Sequence, residues 1–337
     1  MAHLFCNFLL IWPLLLMPCF SLRLPSNAVG LSRIKHRSKR DDDTIAFLAV
    51  GDWGRNGNFN QSIVAAQMGY IGKKLGIDFV VSTGDNFYDD GLKGEGDRAF
   101  KTSFSNIYTA KSLRKPWYSV LGNHDYQGNV EAQLSPALKK LDKRWNCKRN
   151  FILEAGPADI FFVDTTPFVQ KYFDNPKKQV FDWRNVLPRE RYMSSTLTNL
   201  NVSLENSKAP WKIVVGHHTI RSIGYHGDTQ EMIDHFLPIL EAHKVDMYIN
   251  GHDHCLQHLS NERGSMQFLT SGGGSKAWKN KIHYGLHNDS MHFYHDGQGF
   301  LSLEISRDKA KLEFYDVFGR PLHRLTLEKG NKKKLLV

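Results

Sequence analysis

Short apolar runs that end in glycine followed by a polar residue recur along this chain, and they constrain its fold more than any other feature. Each run is long enough for one buried strand, and amphipathic segments such as Gln61–Leu75 lie between several of them. The predicted strands are 44–50, 78–82, 117–121, 160–163, 211–215 and 245–249. Strands that alternate with helices indicate an α/β protein whose ligand sites lie beyond the carboxyl ends of the strands.

The pattern changes after Gly264, where apolar runs follow one another closely at 266–270, 300–305, 311–318 and 323–327. A turn at Gly319-Arg320-Pro321 separates the last two. This spacing predicts a mixed sheet that finishes in antiparallel strands rather than a second domain.

The two ends of the chain differ in composition from its middle. An apolar core at residues 8–16 predicts a secretory signal peptide at 1–21, because it is shorter than the roughly 20 residues that span a bilayer. A signal anchor is the alternative, but we expect no stable membrane span. Residues 22–43 are interpreted as a basic and acidic linker or propeptide, 44–330 as the functional domain and 331–337 as a basic tail. We therefore expect a secreted protein, with the cell wall and the vacuole as other destinations.

The net charge of +10 is concentrated at these ends, in residues 33–40 and 329–334. Such runs are typical of solvated tails, so we expect no nucleic-acid partner. The surplus favours the approach of anionic substrates. After the signal peptide only Cys147 and Cys255 remain, and either one disulfide or two free thiols fits an oxidising compartment. Sequons at Asn60, Asn201 and Asn288 predict a glycoprotein.

Five motifs that follow predicted strands carry the chemistry. Taken singly, a Gly-Asp pair after a strand is more often a turn or a helix cap. Carboxylate, phenolate, amide and imidazole groups at five strand ends of one sheet indicate a shared metal site instead, and glycine before each group permits a sharp turn. The motifs are Gly51-Asp52-Trp53-Gly54, Gly84-Asp85-Asn86-Phe87-Tyr88, Gly122-Asn123-His124-Asp125, Gly216-His217-His218 and Gly251-His252-Asp253-His254.

In this order and spacing, the motifs resemble those of the metallophosphoesterases. Tyr88, three residues after Asp85, is similar to the tyrosine of the purple acid phosphatases, both the small plant members and the tartrate-resistant mammalian form. The resemblance runs from Thr44 to the end and implies an α/β calcineurin-like fold, with mixed β-sheets sandwiched by helices in four αββα layers. It fails between Asp164 and Tyr192, so the mammalian regulatory loop is not carried over.

The resemblance implies a binuclear centre of Fe(III) and one divalent ion, Fe(II), Zn(II) or Mn(II). A hydroxide on the metals would attack the phosphorus of a small phosphate monoester and release inorganic phosphate. By position, the implied ligands are Asp52, Tyr88 and His254 for iron, Asn123, His217 and His252 for the divalent ion, and Asp85 as the bridge.

His124 and His226 are implied to contact the substrate and assist the leaving group. For two further residues we predict that His218 orients a ligand or binds substrate and that Asp125 bonds to His124; Trp53 and Trp278 are expected in packing. The resemblance thus predicts an acid phosphatase. A phosphodiesterase, peroxidase-like radical generation at the iron and a non-catalytic binding protein are the alternatives, and Tyr88 argues against the diesterase.

Overall fold

The structure, a computed structural model, describes residues 30–38, 40, 43–261, 265–283 and 290–330. The predicted signal peptide, the basic tail and the sequon residue Asn288 lie outside the described residues. Within those ranges no helix has the length and apolar character needed to cross a membrane.

The strands form two mixed sheets. In chain order they are β1 Ser32–Lys35, β2 Ile45–Val50, β3 Phe79–Ser82, β4 Trp117–Ser119, β5 Trp145–Cys147, β6 Phe151–Ala155, β7 Ala158–Phe162, β8 Trp211–Val215, β9 Met247–Asn250, β10 Leu256–Ser260, β11 Gln267–Ser271, β12 Met291–His295, β13 Gly299–Ile305, β14 Lys309–Asp316 and β15 Pro321–Glu328. One sheet has the order β1-β6-β7-β8-β9-β11-β10-β12, and the other β15-β14-β13-β2-β3-β4-β5.

Each sheet contains a run of four parallel strands, in the middle of the first sheet and at one end of the second. In the first sheet β7, β8, β9 and β11 run parallel, and in the second β2, β3, β4 and β5 do. Antiparallel pairs continue the second sheet through β13, β14 and β15, which confirms the antiparallel finish predicted for the end of the chain. The prediction that all five motifs follow strands of one sheet is wrong, because β8 and β9 belong to the other sheet. Apolar periodicity reports burial and does not say which strands pair.

Helices cover the outer faces of the sheets. They are α1 Gln61–Leu75, α2 Arg98–Phe100, α3 Asn123–Tyr126, α4 Val130–Leu134, α5 Pro136–Leu141, α6 Lys171–Asp174, α7 Arg189–Asn206, α8 Gln230–His235 and α9 Leu237–Ala242. One apolar core lies between the two sheets, a second packs α1 against the β2 sheet, and a third packs α7, α8 and α9 against the β8 sheet. Helix, sheet, sheet and helix are the four predicted layers.

Part of the segment interpreted as a linker belongs to the fold. Strand β1 pairs in parallel with β6, and its Arg33 donates to Glu154 at 2.6 Å. Arg40 lies 3.4 Å from Asp78, which itself accepts from the backbone N–H of Ala46 at 2.9 Å. This stretch is therefore an edge strand with paired charges rather than a solvated tail.

The cysteines that follow the predicted signal peptide do not form a disulfide. Both Cys147 and Cys255 are buried free thiols. Burial also raises the pKa of each thiol, which keeps both thiols neutral.

Candidate metal centre

The five motifs meet at one edge of the sandwich. Strands β2, β3 and β4 bring Asp52, Asp85 and Asn123 from one sheet, and β8 and β9 bring His217 and His252 from the other. Because the parallel strands of both sheets end on the same side, the two sets of side chains face each other. A bond between His217 Nδ1 and the Thr83 carbonyl, 2.9 Å long, joins the sheets there.

The first cluster surrounds the phenol oxygen of Tyr88. This oxygen donates to Asp85 Oδ2 at 2.8 Å, and Asp52 Oδ1 lies 2.9 Å away. His254 Nε2 lies 3.0 Å from the same phenol oxygen. Donor atoms spaced in this way suit ligands that share one ion at roughly 2.0–2.2 Å.

The second cluster surrounds His217 Nε2. Asn123 Oδ1 lies 3.2 Å from this nitrogen, His252 Nδ1 3.3 Å and Asp85 Oδ2 3.5 Å. Since His217 Nδ1 bonds the Thr83 carbonyl, its Nε2 is left free to bind a metal. Asp85 Oδ2 belongs to both clusters, so one carboxylate oxygen lies between two sets of donors.

The backbone at three of these side chains is left-handed. Asp52, Asp85 and His252 have φ of 60°, 50° and 69°, a conformation that costs non-glycine residues of order 1–3 kcal/mol. Glycine before a donor group was predicted to permit a sharp turn. At Gly122 and Gly251 the structure gives a different reason, which is lack of space for a side chain. A Cβ on Gly122 would lie 2.2 Å from Asp85 Oδ1, and one on Gly251 would lie 2.4 Å from Asp52 Oδ2. These glycines allow backbone to approach the carboxylates closely.

Asp125 holds the loop that carries Asp85 and Tyr88. Its carboxylate accepts from the backbone N–H of Asn86 at 3.0 Å and of Gly122 at 2.9 Å, and from Gln133 Nε2 at 2.8 Å. The prediction that Asp125 bonds to His124 is wrong: His124 Nδ1 bonds the carbonyl oxygen of Asp89. The sequence places Asp125 beside His124, but the helical turn of α3 directs their side chains apart.

A pocket of about 770 Å³ opens above the two clusters. Both predicted substrate-contacting histidines line it. His226 stacks on the ring of His252 at 4.0 Å, and its backbone N–H donates to Asp253 at 2.7 Å. His124 lies with its ring 4.5 Å from that of Tyr88. The remaining residues that line it include Lys171, Tyr172, Lys177, Lys178, Tyr225 and Trp278.

Comparisons with known proteins agree with this geometry. Residues 45–256 match the family model described as calcineurin-like phosphoesterase. Purple acid phosphatase 7 of Arabidopsis thaliana is 58% identical over 300 residues, which cover 89% of this chain and 91% of the relative. The chain belongs to the purple acid phosphatase family. Tartrate-resistant acid phosphatase type 5 of Sus scrofa is 33% identical, with 94% of this chain and 95% of the relative covered.

A solved structure supports the fold of this phosphatase. Purple acid phosphatase PPD1 from yellow lupin (Lupinus luteus) seeds matches with a TM-score of 0.59 and 16% identity, over 85% of this chain and 54% of that one. The predicted four-layer calcineurin-like fold is confirmed, and so are the predicted family and the acid phosphatase class of enzyme. Family membership also implies a binuclear metal centre and phosphate ester substrates.

The donor groups of the phosphatase fit such a centre. Burial raises the pKa of Asp52, and the neighbouring Asp85 raises it further, against the opposing effect of His217. Burial also raises the pKa of the Tyr88 phenol, and the carboxylates of Asp52 and Asp85 add to the effect. Two buried carboxylates in contact with a phenol need positive charge to ionise together, and a multivalent cation supplies it.

Arg55 supplies some of that charge from outside the donor set. Its guanidinium carbon lies 3.7 Å from the centre of the Tyr88 ring, and its Nη1 lies 2.7 Å from Asp89. A cation over the face of an aromatic ring is attracted by the π-electrons, so Arg55 fixes the plane of the phenol. Sequence reasoning missed this residue, although it follows directly after the first motif.

The contacts of three further residues bear on the roles that the sequence predicts for them. Trp278 was expected in packing alone, but it stacks on His254 at 3.9 Å and lines the pocket. His218 bonds Thr165 and Tyr172, each at 2.9 Å, and its ring lies 4.4 Å from that of His252. His218 thus contacts a predicted metal ligand, and its two possible roles, to orient a ligand or to bind substrate, stay predictions. Trp53 is buried in the apolar core, as expected.

Proposed function

We propose that this phosphatase hydrolyses small phosphate monoesters at a centre of one Fe(III) and one divalent ion, Fe(II), Zn(II) or Mn(II), and releases inorganic phosphate. The observation that carries the proposal is the shared Oδ2 of Asp85, which lies 2.8 Å from the Tyr88 phenol and 3.5 Å from His217 Nε2. Because this oxygen is common to both donor clusters, Asp85 would help to hold both ions.

The donor chemistry divides the ions between the clusters. Phenolate and carboxylate oxygens favour a trivalent ion, so Asp52, Tyr88 and His254 would hold the iron. His217, His252 and the amide of Asn123 suit a divalent ion. Bound together, two such ions supply an activated water at acidic to neutral pH and neutralise charge on the transferred phosphoryl group.

The pocket histidines act on the substrate. Burial lowers the pKa of His226 to about 3, and Lys171 lowers it further, so the free imidazole is neutral. A neutral ring donates a hydrogen bond through one nitrogen. In this pocket the acceptor would be an ester or phosphoryl oxygen of the substrate. His124, whose ring lies 4.5 Å from that of Tyr88, would give a proton to the departing alcohol oxygen.

The metal content of purified variants tests the proposal separately from activity. Wild-type protein is expected to hold two ions, and Asn123→Ala about one, because it removes a donor from the His217 cluster alone. Asp85→Asn, which removes the shared charged oxygen, is expected to retain neither firmly. Full retention of both ions by Asp85→Asn would contradict the assignment of the bridge.

Activity after chelation tests the reaction. Metal-free protein is expected to lose hydrolysis of phenyl phosphate and to regain it only when iron and a divalent ion are both restored. Hydrolysis of diphenyl phosphate in preference to phenyl phosphate would favour the diesterase alternative. Full activity without metal would overturn the proposal.

We also propose that the chain is exported. The apolar core at 8–16 and its length support this, and Asn60 of the first sequon is exposed ahead of α1. Expression of the full chain in a secreting cell, with N-terminal sequencing of protein from the medium, tests it. The expected product begins near residue 22, whereas retention inside the cell with residues 1–21 intact would contradict export.

A further inference from the structure

Arg55 lies beside the donor groups assigned to iron but is not one of them. Its guanidinium carbon is 3.7 Å from the centre of the Tyr88 ring, so its charge lies over the face of the phenol. The donor atoms of Asp52, Asp85 and His254 gather around the phenol oxygen instead, within 3.0 Å of it. The cation and the metal donors therefore contact different parts of one side chain, the ring and its oxygen.

Hydrogen bonds of the backbone hold Arg55 in this position. Its N–H donates to Oε1 of Gln61 at 3.1 Å, and Nε2 of the buried Gln61 donates to the carbonyl of Ser103 at 2.8 Å. The backbone N–H of Tyr88 donates to the carbonyl of Gly54 at 2.9 Å, which joins the Tyr88 loop to the residue before Arg55. The side chain of Arg55 is only 12% exposed. The cation is thus held against the ring by contacts of the protein itself.

The charge of Arg55 is only partly compensated. Its Nη1 lies 2.7 Å from the carboxylate of Asp89, whose side chain is 75% exposed. Water weakens an ion pair with so exposed a partner, so the carboxylate cancels little of the field at the ring. Within the part of the chain that the structure describes, the buried Nε of Arg55 has no hydrogen-bond partner. The remaining positive charge acts on the Tyr88 ring, where a cation lowers the energy of the π-electrons.

We propose that Arg55 is a positioning residue that tunes the electronic state of the metal centre through Tyr88. This role rests on the proposed function, because it requires Fe(III) on the phenol oxygen. The positive charge over the ring makes the tyrosinate a weaker electron donor to the iron. Two properties of the metal-loaded protein then depend on Arg55: the energy of the charge-transfer band, and the ease with which Fe(III) is reduced to Fe(II).

The direction of the first effect follows from where the charge lies. When the band absorbs light, an electron passes from the phenolate ring to Fe(III), and the ring becomes more positive. Arg55 lies over the ring, whereas the iron donors surround the oxygen, so the cation opposes the loss of the electron more than it favours its arrival. The transition therefore needs more energy with Arg55 present, and removal of the charge should move the band to longer wavelength.

The second effect concerns the two oxidation states of the iron. Reduction adds one electron to Fe(III) and gives Fe(II), so the positive charge of the centre falls by one unit. A fixed cation nearby favours the state with less positive charge, because the two repel each other less. Arg55 should therefore make the iron easier to reduce.

Substitutions that differ in charge at this position test the role. Arg55→Gln removes the charge and keeps an N–H donor for Asp89, whereas Arg55→Lys keeps a charge. The matched control is Arg114→Gln, which removes an exposed charge before β4, at the end of that strand away from the centre. For each iron-loaded protein we would record the visible band and titrate the iron with a one-electron reducing dye. Circular dichroism and metal content verify that the variants are folded and loaded.

We expect the band of Arg55→Gln to move to longer wavelength by about 10 nm or more, and its equilibrium constant for reduction to fall about tenfold or more. Arg55→Lys should stay closer to the wild type in both properties, and Arg114→Gln should match it. An unmoved band or an unchanged equilibrium constant in Arg55→Gln would overturn the role. Equal shifts in Arg55→Lys and Arg55→Gln would also overturn it, because the shape of the side chain and not its charge would then be the cause.

Failure of the proposed function would appear differently. In that case the iron-loaded wild type would show no tyrosinate band, and the role of Arg55 would be refuted together with the metal assignment. A wild-type band that Arg55→Gln does not move would refute the role of Arg55 alone. Arg55→Met, a second neutral variant of similar length, takes the place of Arg55→Gln if that protein does not hold iron, and the same shifts are expected from it.

Discussion

Single residues at the centre are held in conformations that only their surroundings make stable. Asp52, Asp85 and His252 are left-handed, and each is fixed by bonds from other motifs. Asp52 Oδ2 accepts from the backbone N–H of His252 at 3.1 Å, and Asp85 Oδ1 accepts from that of His124 at 2.8 Å. The position of each donor group therefore depends on its neighbours in the centre.

Replacement of Asp125 by asparagine tests this dependence. Both carboxylate oxygens of Asp125 face N–H donors: Oδ1 faces Asn86 and Gln133, and Oδ2 faces Asn86 and Gly122. In either orientation the new NH₂ group meets donors instead of an acceptor. We expect metal affinity to fall about 10- to 100-fold, measured by retention during dialysis against a chelator.

The matched control for this change is Asp308→Asn, an exposed aspartate at the turn between β13 and β14. It should retain metal as the wild type does. Equal retention by Asp125→Asn would show that the loop keeps its shape without the carboxylate.

At the scale of residues, the sequence predicts which residues are metal donors better than it predicts their hydrogen-bond partners. Each donor group is visible because its type is a metal ligand and it follows a strand. The partner of Asp125 is not visible, because the path of the loop and not the spacing decides it. Arg55 and Trp278 lack a ligand-type signature, and only their positions in space give them a role.

At the scale of elements, the strands end at a common edge of the sandwich, where the donor residues follow them. The glycines allow these residues to approach one another closely. Strands β2, β3 and β8 end at Val50, Ser82 and Val215, directly before or one residue before their motifs. The next residues must bring backbone within contact of carboxylates from neighbouring strands. Glycine is needed there because any side chain would occupy the space of a donor group.

Gly122→Ala tests the requirement for close approach. Its Cβ would lie 2.2 Å from Asp85 Oδ1 and 2.5 Å from the Asp85 nitrogen, so the Asp85 loop must shift. We expect kcat/KM for phenyl phosphate to fall by about 100-fold, the effect of a misplacement of about 1 Å. Gly94→Ala, where a Cβ meets nothing within 4 Å, is the control and should be neutral. Comparable kinetics for the two variants would contradict the argument.

The sequence predicts ten of the fifteen strands in the described residues and misses β1, β5, β6, β10 and β12, and it does not predict which strands pair. Helix α1 and strand β8 have the predicted bounds, and most other strands differ by one to three residues. Strand β1 was missed because its sequence, SRIK, is dominated by charge and carries no apolar alternation. It is a strand because β6 offers it an edge, a reason that lies elsewhere in the chain.

At the scale of the whole molecule, the two sheets act as one unit through the core between them. A polar contact also crosses that interface, where His258 of β10 lies 2.9 Å from His323 of β15. The other nitrogen of His258 bonds Gln267 at 2.7 Å, so the buried imidazole has both ring nitrogens engaged. His292, with its ring 4.6 Å from His258, is the third imidazole of this group.

This contact predicts a pH dependence of stability. Burial lowers the pKa of His258 to about 3 from its ordinary 6.5, and His292 and His323 lower it further, against the opposing bond from Gln267. Between these values the unfolded chain binds a proton that the folded chain does not. The stabilising effect of the neutral ring is therefore complete above 6.5 and is lost as the pH falls toward 3.

Urea denaturation at several pH values measures the effect. As the pH decreases below 6.5, the free energy of unfolding of the wild type should fall. His258 should contribute about 1.4 kcal/mol per pH unit to this slope. His258→Gln should have a shallower slope even if it is less stable throughout, whereas His235→Gln on α8 should retain the wild-type slope. Identical slopes for the wild type and His258→Gln would contradict the prediction.

The central claim is that Tyr88 binds Fe(III) beside a second metal ion, and the visible absorption spectrum of the oxidised protein tests it most directly. Wild-type protein should show a band from charge transfer between tyrosinate and Fe(III), which gives a purple colour. Tyr88→Phe should lose this band while it retains metal. An active wild-type enzyme without the band, or an unchanged band in Tyr88→Phe, would contradict the account.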